Sequence, residues 1–219
     1  VVHGASFPDG VDETGALRMT GVPYTDTTVS AEHQALLAAA GGRVPVTVAR
    51  LGDVYGPHST IWTVRPVELM RRGMFVLVDG GHGIISPTYV DDAVEGALAA
   101  ALSPAGVGEV FHITGGVGVE AAEFFGHYAA MLGRGMRSLP SVAAAVLTAP
   151  VDAVSRTLGW HPPLPTRALE YLTHPGTYSI EKAAKILGWR PRVSLDEGMA
   201  LTREWLVDTG LVPATTADH

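Results

Sequence analysis

The chain of 219 residues contains no cysteine. Disulfides, thiolate nucleophiles and cysteine-ligated metals are therefore excluded, while the redox compartment stays open. Lysine is almost absent too: Lys182 and Lys185 are the only two, both late in the chain. Charged residues make up 17%, with a net charge of −7, which argues against nucleic acid or an anionic membrane surface as the main partner. Long apolar runs are missing. The longest mostly apolar stretch, residues 142–151, falls far short of the roughly twenty residues a membrane span needs. No basic segment followed by an apolar one opens the chain, so no signal peptide is read and a cytoplasmic location is expected. Nine histidines occur, but without His-Glu-x-x-His spacing or a His/Cys cluster, so no metal site is expected.

What is present suits a folded α/β chain. Hydrophobic residues reach 47%, enough for one large or two small domains with a real core. The organising stretch is residues 22–57, VPYTDTTVSAEHQALLAAAGGRVPVTVARLGDVYGP. Residues 25–40 hold no Pro or Gly, are rich in Ala, Leu, Glu and Gln, and stop at Gly41-Gly42, which predicts a helix with a glycine end. Residues 44–49 are short and β-branched, a buried strand with Pro45 near its start. Residues 52–57 read as an exposed turn. Helix, strand and turn in that order form one step of a parallel sheet, where ligands sit beyond the carboxyl ends of the strands.

Around this stretch the chain alternates in the same manner. Residues 7–21 read as a surface loop, 58–63 as a polar loop, 65–72 as a short helix and 75–78 as a strand. Asp92, with Glu95 three residues on, reads as a capping box opening an alanine-rich helix to Leu102. Capping also explains the adjacent carboxylates Asp91 and Asp92 better than paired acid–base work, because neighbouring positions on a helix point apart. Residues 110–114 form a second buried strand, followed by a helix to Leu132. Residues 141–158 read as an apolar helix interrupted at Pro150, and 179–187 as a helix closed by Gly188. Ser194-x-x-Glu197 is a capping box for the last helix. Glu181, Lys182 and Lys185 read as a solvated helix face. Gly116, Gly118 and Ala121 satisfy the G-x-G-x-x-[GA] dinucleotide pattern, but no acidic residue follows about twenty positions on, so a cofactor turn is not expected there.

Five segments together carry a resemblance. Tyr24, Thr28 and Glu32 stand at the spacing of a Tyr-x-x-x-Lys helix with a Glu four residues further on. Residues 50–57 (RLGDVYGP), 86–92 (SPTYVDD), 108–114 (GEVFHIT) and 178–191 (YSIEKAAKILGWRP) follow in order. The layout resembles the extended short-chain dehydrogenase/reductase family of NAD-dependent epimerases, dehydratases and 3β-hydroxysteroid dehydrogenases. The resemblance implies the C-terminal part of a doubly wound parallel, Rossmann-like sheet with a smaller, mostly helical substrate lobe. Residues 1–56 and 85–114 would belong to the sheet domain, and 57–84 and 115–219 to the lobe. The family's glycine-rich nucleotide fingerprint and catalytic serine belong ahead of a segment like residues 1–4, so an N-terminally truncated version is expected.

By the same resemblance, Tyr24 moves a proton to or from a substrate oxygen, and NAD or NADP is the cofactor, contacted by Tyr24, Leu51 and Val54. Tyr55, His58, Ser59 and Trp62 follow the strand end toward a small-molecule substrate. His58 by itself suits an ordinary loop histidine. Leu51 replaces the family's usual proline, and Thr28 replaces its lysine. That lysine matters because tyrosine ordinarily ionises near pH 10 and needs a nearby cation to act as a base at neutral pH. The Pro-Pro-Leu-Pro-Thr-Arg run at 162–167 and the shortage of cations between 138 and 173 point to the 3β-hydroxysteroid branch and an apolar substrate. Two other functions compete: a catalytically impaired homologue that binds a partner or serves structurally, and a sugar-nucleotide epimerase or dehydratase. A sheet cut in half leaves an unpaired edge, which calls for a homo-oligomer or a completing chain.

Overall fold

The computed structural model describes residue 3 and residues 7–42, 44–143 and 176–214. Of the expected helix at 141–158, residues 141–143 are described and helical, while 144–158, the 162–167 run and residues 1–2 and 4 lie outside the described residues. Six α-helices are described: α1 (Pro23–Ala40), α2 (Arg65–Arg71), α3 (Val90–Leu102), α4 (Ala121–Met131), α5 (Glu181–Leu187) and α6 (Leu195–Asp208). Eight short strands lie among them: β1 (Val48–Leu51), β2 (Asp53–Tyr55), β3 (Val76–Val78), β4 (Ile84–Ile85), β5 (Pro87–Tyr89), β6 (Val110–Ile113), β7 (Val119–Glu120) and β8 (Arg137–Leu139). β1 pairs with β6, β2 with β5 and β3 with β8, all parallel, while β4 and β7 pair antiparallel. Parallel pairs joined through helices are the expected α/β architecture. No described helix is long and apolar enough to cross a membrane.

The expected strand at 44–49 sits four residues later, at Val48–Leu51. Residues before it face the loop ahead of β6 instead: Val46 O accepts from Gly108 N at 2.7 Å, and Thr47 Oγ1 donates to Gly106 O at 2.8 Å. The expected turn at 52–57 is in fact largely β2, which continues the line of β1 after one residue. Gly52 makes that step. A Cβ there would lie 2.6 Å from Thr88 Oγ1 and 2.8 Å from Ser86 O, so only glycine admits the backbone of β5 so closely.

Asp92 does not cap its own helix. α3 starts at Val90, and the buried Asp92 carboxylate accepts from the backbone N–H of Arg192 and of Val193, each at 3.0 Å. Glu95 pairs with Arg192 across the same junction. The signal read as a capping box therefore belongs to a tertiary clasp, in which an acid early on one helix holds a distant loop. Ser194, by contrast, caps α6 as expected, its hydroxyl accepting from Glu197 N. Lys182 also leaves the role of a solvated residue: it pairs with Glu109 at 2.8 Å and lies 5.2 Å over the Phe111 ring.

Residues 7–21 are more than a loop. Val11 is buried and bridges to Tyr178, with Val11 N donating to Thr177 O at 3.0 Å and Ser179 N to Val11 O at 2.9 Å. The core has two parts. One gathers Tyr55, Ile85, Tyr89, Phe124, Phe125, Tyr128, Met199 and Leu206, and the other gathers Ala100, Phe111, Ile113, Ala183 and Trp189.

The last helix reaches the first part through Gly198, where an added Cβ would lie 2.1 Å from the Tyr55 hydroxyl oxygen and 3.0 Å from the Tyr89 ring. Gly198→Ala is therefore expected to destabilise by about 1–3 kcal/mol, the usual cost of overpacking. The nearest obstacle is one hydroxyl, with the Tyr55 Cζ next at 2.9 Å, so Tyr55→Phe in the same chain should recover part of the loss. Urea midpoints of the two single variants and the double variant measure this, and strict additivity would refute the contact.

Candidate functional site

A cavity of about 960 Å³ opens between α1, β1, β2 and the turn Thr60–Val64. On α1, Tyr24, Thr28 and Glu32 stand four residues apart and all face it, with Ala31 and Ala35 beside them. Opposite stand the residues of β1 together with Gly52, Asp53 and Val54, and Ile61 and Trp62 close the end. Thus Tyr24, Thr28, Leu51, Val54, Ser59 and Trp62, expected from sequence, come together. Tyr55 and His58 do not.

Side chains alternate along β2, so Val54 faces the cavity while Tyr55 turns into the core at 1% exposure, edge-on to Tyr89 and Phe124. Burial raises the Tyr55 phenol above its ordinary value. Tyr55 is thus a core residue rather than a substrate contact. His58 adopts a positive φ of 65° and sets its ring 5.0 Å from Trp205 of α6, away from the cavity. Ser59 lines the cavity, but its hydroxyl donates to Val54 O at 2.8 Å and also caps the following turn.

Tyr24 is 70% exposed, an open side chain at the start of α1. Thr28 turns its hydroxyl back to the helix, donating to Tyr24 O at 2.8 Å. No positive charge stands at that position. Among the described residues Arg50 is the one Lys or Arg side chain lining the cavity, and its guanidinium is already engaged. Its Nη2 donates to Glu32 Oε1 at 2.7 Å and its Nε to Oε2 at 3.0 Å, with Glu32 buried and Arg50 largely shielded.

Two histidines complete this cluster, and no local pattern marked either one. His3 and His112 direct Nδ1 at the carbonyls of Ala16 and Ser179, at 3.2 and 3.3 Å. Facing carbonyls, each Nδ1 must carry the proton, which leaves both Nε2 atoms as acceptors. The two Nε2 atoms lie 3.3 Å apart, and Arg50 Nη1 reaches them at 3.3 and 3.4 Å. Glu13 accepts from His112 N at 2.8 Å, covering the outer edge of β6. Burial, then the Arg50 charge and His3, hold the His112 imidazole down at about 3, and burial lowers His3 as well. The cluster joins five separate segments of chain, which explains why sequence spacing could not reveal it.

The Gly116–Ala121 turn has no room for a pyrophosphate. A Cβ at Gly116 would lie 2.8 Å from Ile180 Cδ1, and one at Gly118 would lie 2.5 Å from Thr177 Cγ2 and 2.6 Å from Ile84 Cγ2. Ala121 N donates to Gly83 O at 2.9 Å, so the helix start is spent within the protein. These glycines serve close packing. Among the described residues, no group of three or more His, Cys, Asp or Glu could hold a metal ion.

No family model matches the chain. Among curated proteins it is 27% identical over 184 residues to the uncharacterized protein YbjS of Escherichia coli, covering 81% of this chain and 55% of that protein. It is 29% identical over 216 residues to a 2-alkyl-3-oxoalkanoate reductase of Stenotrophomonas maltophilia, covering 91% and 63%. It is 26% identical over 165 residues to a 3β-hydroxysteroid dehydrogenase/isomerase of Caenorhabditis elegans, covering 71% and 36%. The UDP-glucose 4-epimerase of Thermotoga maritima superposes with a TM-score of 0.70 at 26% identity, covering 94% of this chain and 60% of that one. The dTDP-glucose 4,6-dehydratase of Bacillus anthracis, solved with NAD, gives 0.69 at 20% identity, covering 94% and 59%. The chain thus spans little more than half the length of most of these proteins.

The histidine cluster carries a pH dependence of definite sign. His112 ionises near 6.5 when unfolded and near 3 when folded, so its contribution to stability is complete above pH 6.5 and is lost as pH falls toward 3. Between those values stability should fall by about 1.4 kcal/mol per pH unit for this one proton, with His3 adding in the same direction. His112→Asn keeps a donor for Ser179 O and removes the titration. Urea unfolding across pH 3–7 should show a shallower acid limb for the variant, and an identical limb would contradict the assignment.

Proposed function

We propose that this chain, a member of the extended short-chain dehydrogenase/reductase family, carries the proton-transferring tyrosine and the substrate-facing walls of an NAD(P)-dependent oxidoreductase acting on an apolar ketone or secondary alcohol. The observation that carries this reading is the placement of Tyr24. Its open phenol stands on the same face as Thr28, across a cavity walled by Val48, Leu51, Val54, Ile61 and Trp62. When bound, the nicotinamide cofactor would accept or supply a hydride. Tyr24 would take the alcohol proton during oxidation or return it to the carbonyl oxygen during reduction. Leu51 and Val54 give the nicotinamide an apolar wall, so the described residues fit that end of the cofactor. The Gly116–Ala121 turn, filled by Ile180, Thr177 and Ile84, does not fit its pyrophosphate. A division at 1–56 with 85–114 against 57–84 with 115–219 keeps three strand pairs whole, β1–β6 and β2–β5 in the first part and β3–β8 in the second, while β4–β7 joins the two parts.

Apolar substrates are favoured by the cavity itself. Among the described residues its one Lys or Arg, Arg50, is held by Glu32, so none of them offers a free cation to a substrate pyrophosphate. The names of relatives that reduce alkyl oxoalkanoates or oxidise hydroxysteroids agree with this, and the sugar-nucleotide neighbours share the fold. Thr28 supports the second reading, an impaired homologue, because the cation that would help Tyr24 to ionise is missing.

Two experiments test these statements in the active form of the protein. A turnover screen with hydroxysteroids, 3-oxoalkanoates and UDP- or dTDP-sugars should favour an apolar substrate, and preference for the sugar nucleotides would overturn the substrate class. Thr28→Lys should raise the rate near pH 7 by roughly one to three orders of magnitude, since each 1.4 kcal/mol is tenfold. Tyr24→Phe should abolish the remainder. Paired pH–rate profiles with Thr and Lys at position 28 should show the Thr form active mainly at high pH. Profiles that coincide near neutrality would mean that another group handles the proton.

A further inference from the structure

A second cavity lies at the amino-terminal ends of β3 and β8 and shares no residue with the one that holds Tyr24. It measures about 250 Å³ and lies between the end of α2 and the turn that follows α4. Its floor is apolar: Met70 and Ala129 are buried, Phe75 and Met136 half-buried, and Phe75 packs on Phe125 at 4.9 Å. Its mouth is cationic. Arg134 and Arg137 both line it, and Arg71 and Arg72 stand in the chain between the lining residues Met70 and Gly73.

Among the described residues, neither Arg134 nor Arg137 has a carboxylate partner, whereas Arg50, Arg190 and Arg192 each have one. This is unexpected in a protein with a net charge of −7. Arg134 has a structural task as well, donating from Nη1 to Met70 O at 3.0 Å and so closing the end of α2. That bond holds its guanidinium at the rim and leaves the other nitrogens free. Helix capping cannot account for Arg137, which lies on β8 paired with Val76.

We infer that this cavity is a binding site for a medium-chain or aryl monocarboxylate, with the hydrocarbon on Met70, Phe75 and Met136 and the carboxylate held by Arg134 and Arg137. Guanidinium groups pair with carboxylates through two parallel hydrogen bonds, and two methionines make an adaptable apolar floor. Size agrees with the chemistry. An apolar cavity of about 150 Å³ holds benzene, so 250 Å³ suits about ten non-hydrogen atoms, the size of octanoate. A bare phosphate would occupy the mouth and leave the floor uncovered. The site stands whether or not the chain turns over a substrate at Tyr24.

The test is a titration with octanoate, 1-octanol and inorganic phosphate, followed through ¹³C-labelled methionine methyl groups. Octanoate should shift the Met70 and Met136 signals saturably and leave Met199, buried beside α6, in place. Octanol should bind at least about tenfold more weakly, because charge-assisted hydrogen bonds are lost. Arg137→Gln should weaken octanoate by a similar factor and leave octanol unchanged. Arg134→Gln should do the same for octanoate, and the Met199 signal reports whether that variant stays folded. Three results would each overturn the proposal: no saturable shift at Met70 and Met136, octanol binding as tightly as octanoate, or wild-type octanoate affinity in Arg137→Gln. Displacement of octanoate by an equal concentration of phosphate would assign the arginines to a phosphate instead and equally overturn it.

Discussion

The cavity that holds Tyr24 depends on one buried ion pair, Glu32 with Arg50. Of the 18 residues of α1, only Thr25, Val29 and Glu32 are buried, so the helix has little apolar surface with which to grip the sheet. The bidentate contact at 2.7 and 3.0 Å therefore sets the position of α1 on β1. Tyr24 and Thr28 lie on the same face as Glu32, about two turns and one turn earlier respectively, and their placement over the cavity follows from that anchor. Removing one partner of such a buried pair costs about 3–5 kcal/mol, because the other charge is left without compensation. The pair is further tied to His3 and His112, whose neutral rings accept from the same guanidinium. One guanidinium thus joins helix, sheet and the segment around Glu13.

That commitment also shapes the chemistry available. Arg50 brings positive charge to the cavity, yet Glu32 neutralises it and both forks of the guanidinium are used. Thr28 directs its hydroxyl to a helix carbonyl, and among the described residues no other Lys or Arg side chain lines the cavity near Tyr24. The result is a tyrosine with good exposure and poor electrostatic support, above walls that are largely aliphatic. The proposal of an apolar substrate rests on these walls and on that missing cation.

The C-terminal segment is held against this frame by different means. Asp92 accepts two backbone N–H groups from Arg192 and Val193, and Gly198 lets α6 approach the Tyr55 ring. Together they link the end of the chain to β2 and α3, where the cavity wall begins. Tyr55 is thus a support for the wall from behind. The basic cavity at the far ends of β3 and β8 lies outside this linkage, since its residues meet neither the ion pair nor the clasp.

Much of the outline was legible in the sequence. The helix ending at Gly41, the presence of a strand after it (though read at 44–49 and found at 48–51), the Ser194 cap and the α/β order follow from local propensities and spacing, which act between residues a few positions apart. Tyr24, Thr28 and Glu32 could be placed on one face for the same reason. The sequence also determined what this chain lacks, namely cysteine chemistry and a lysine beside Tyr24. Tertiary structure decided the rest. Asp92 looked like a helix cap because capping and a long-range clasp use the same carboxylate geometry, and only the fold shows which N–H groups lie within reach. Tyr55 looked like a substrate contact because alternation along a strand is visible only once the strand is recognised, and residues 53–55 read as a turn until β5 pairs with them. His3 and His112, 109 positions apart, become one site solely because β6 and the amino-terminal segment converge on Arg50. Contacts at such separations are set by the packing of whole elements, and no short-range pattern records them.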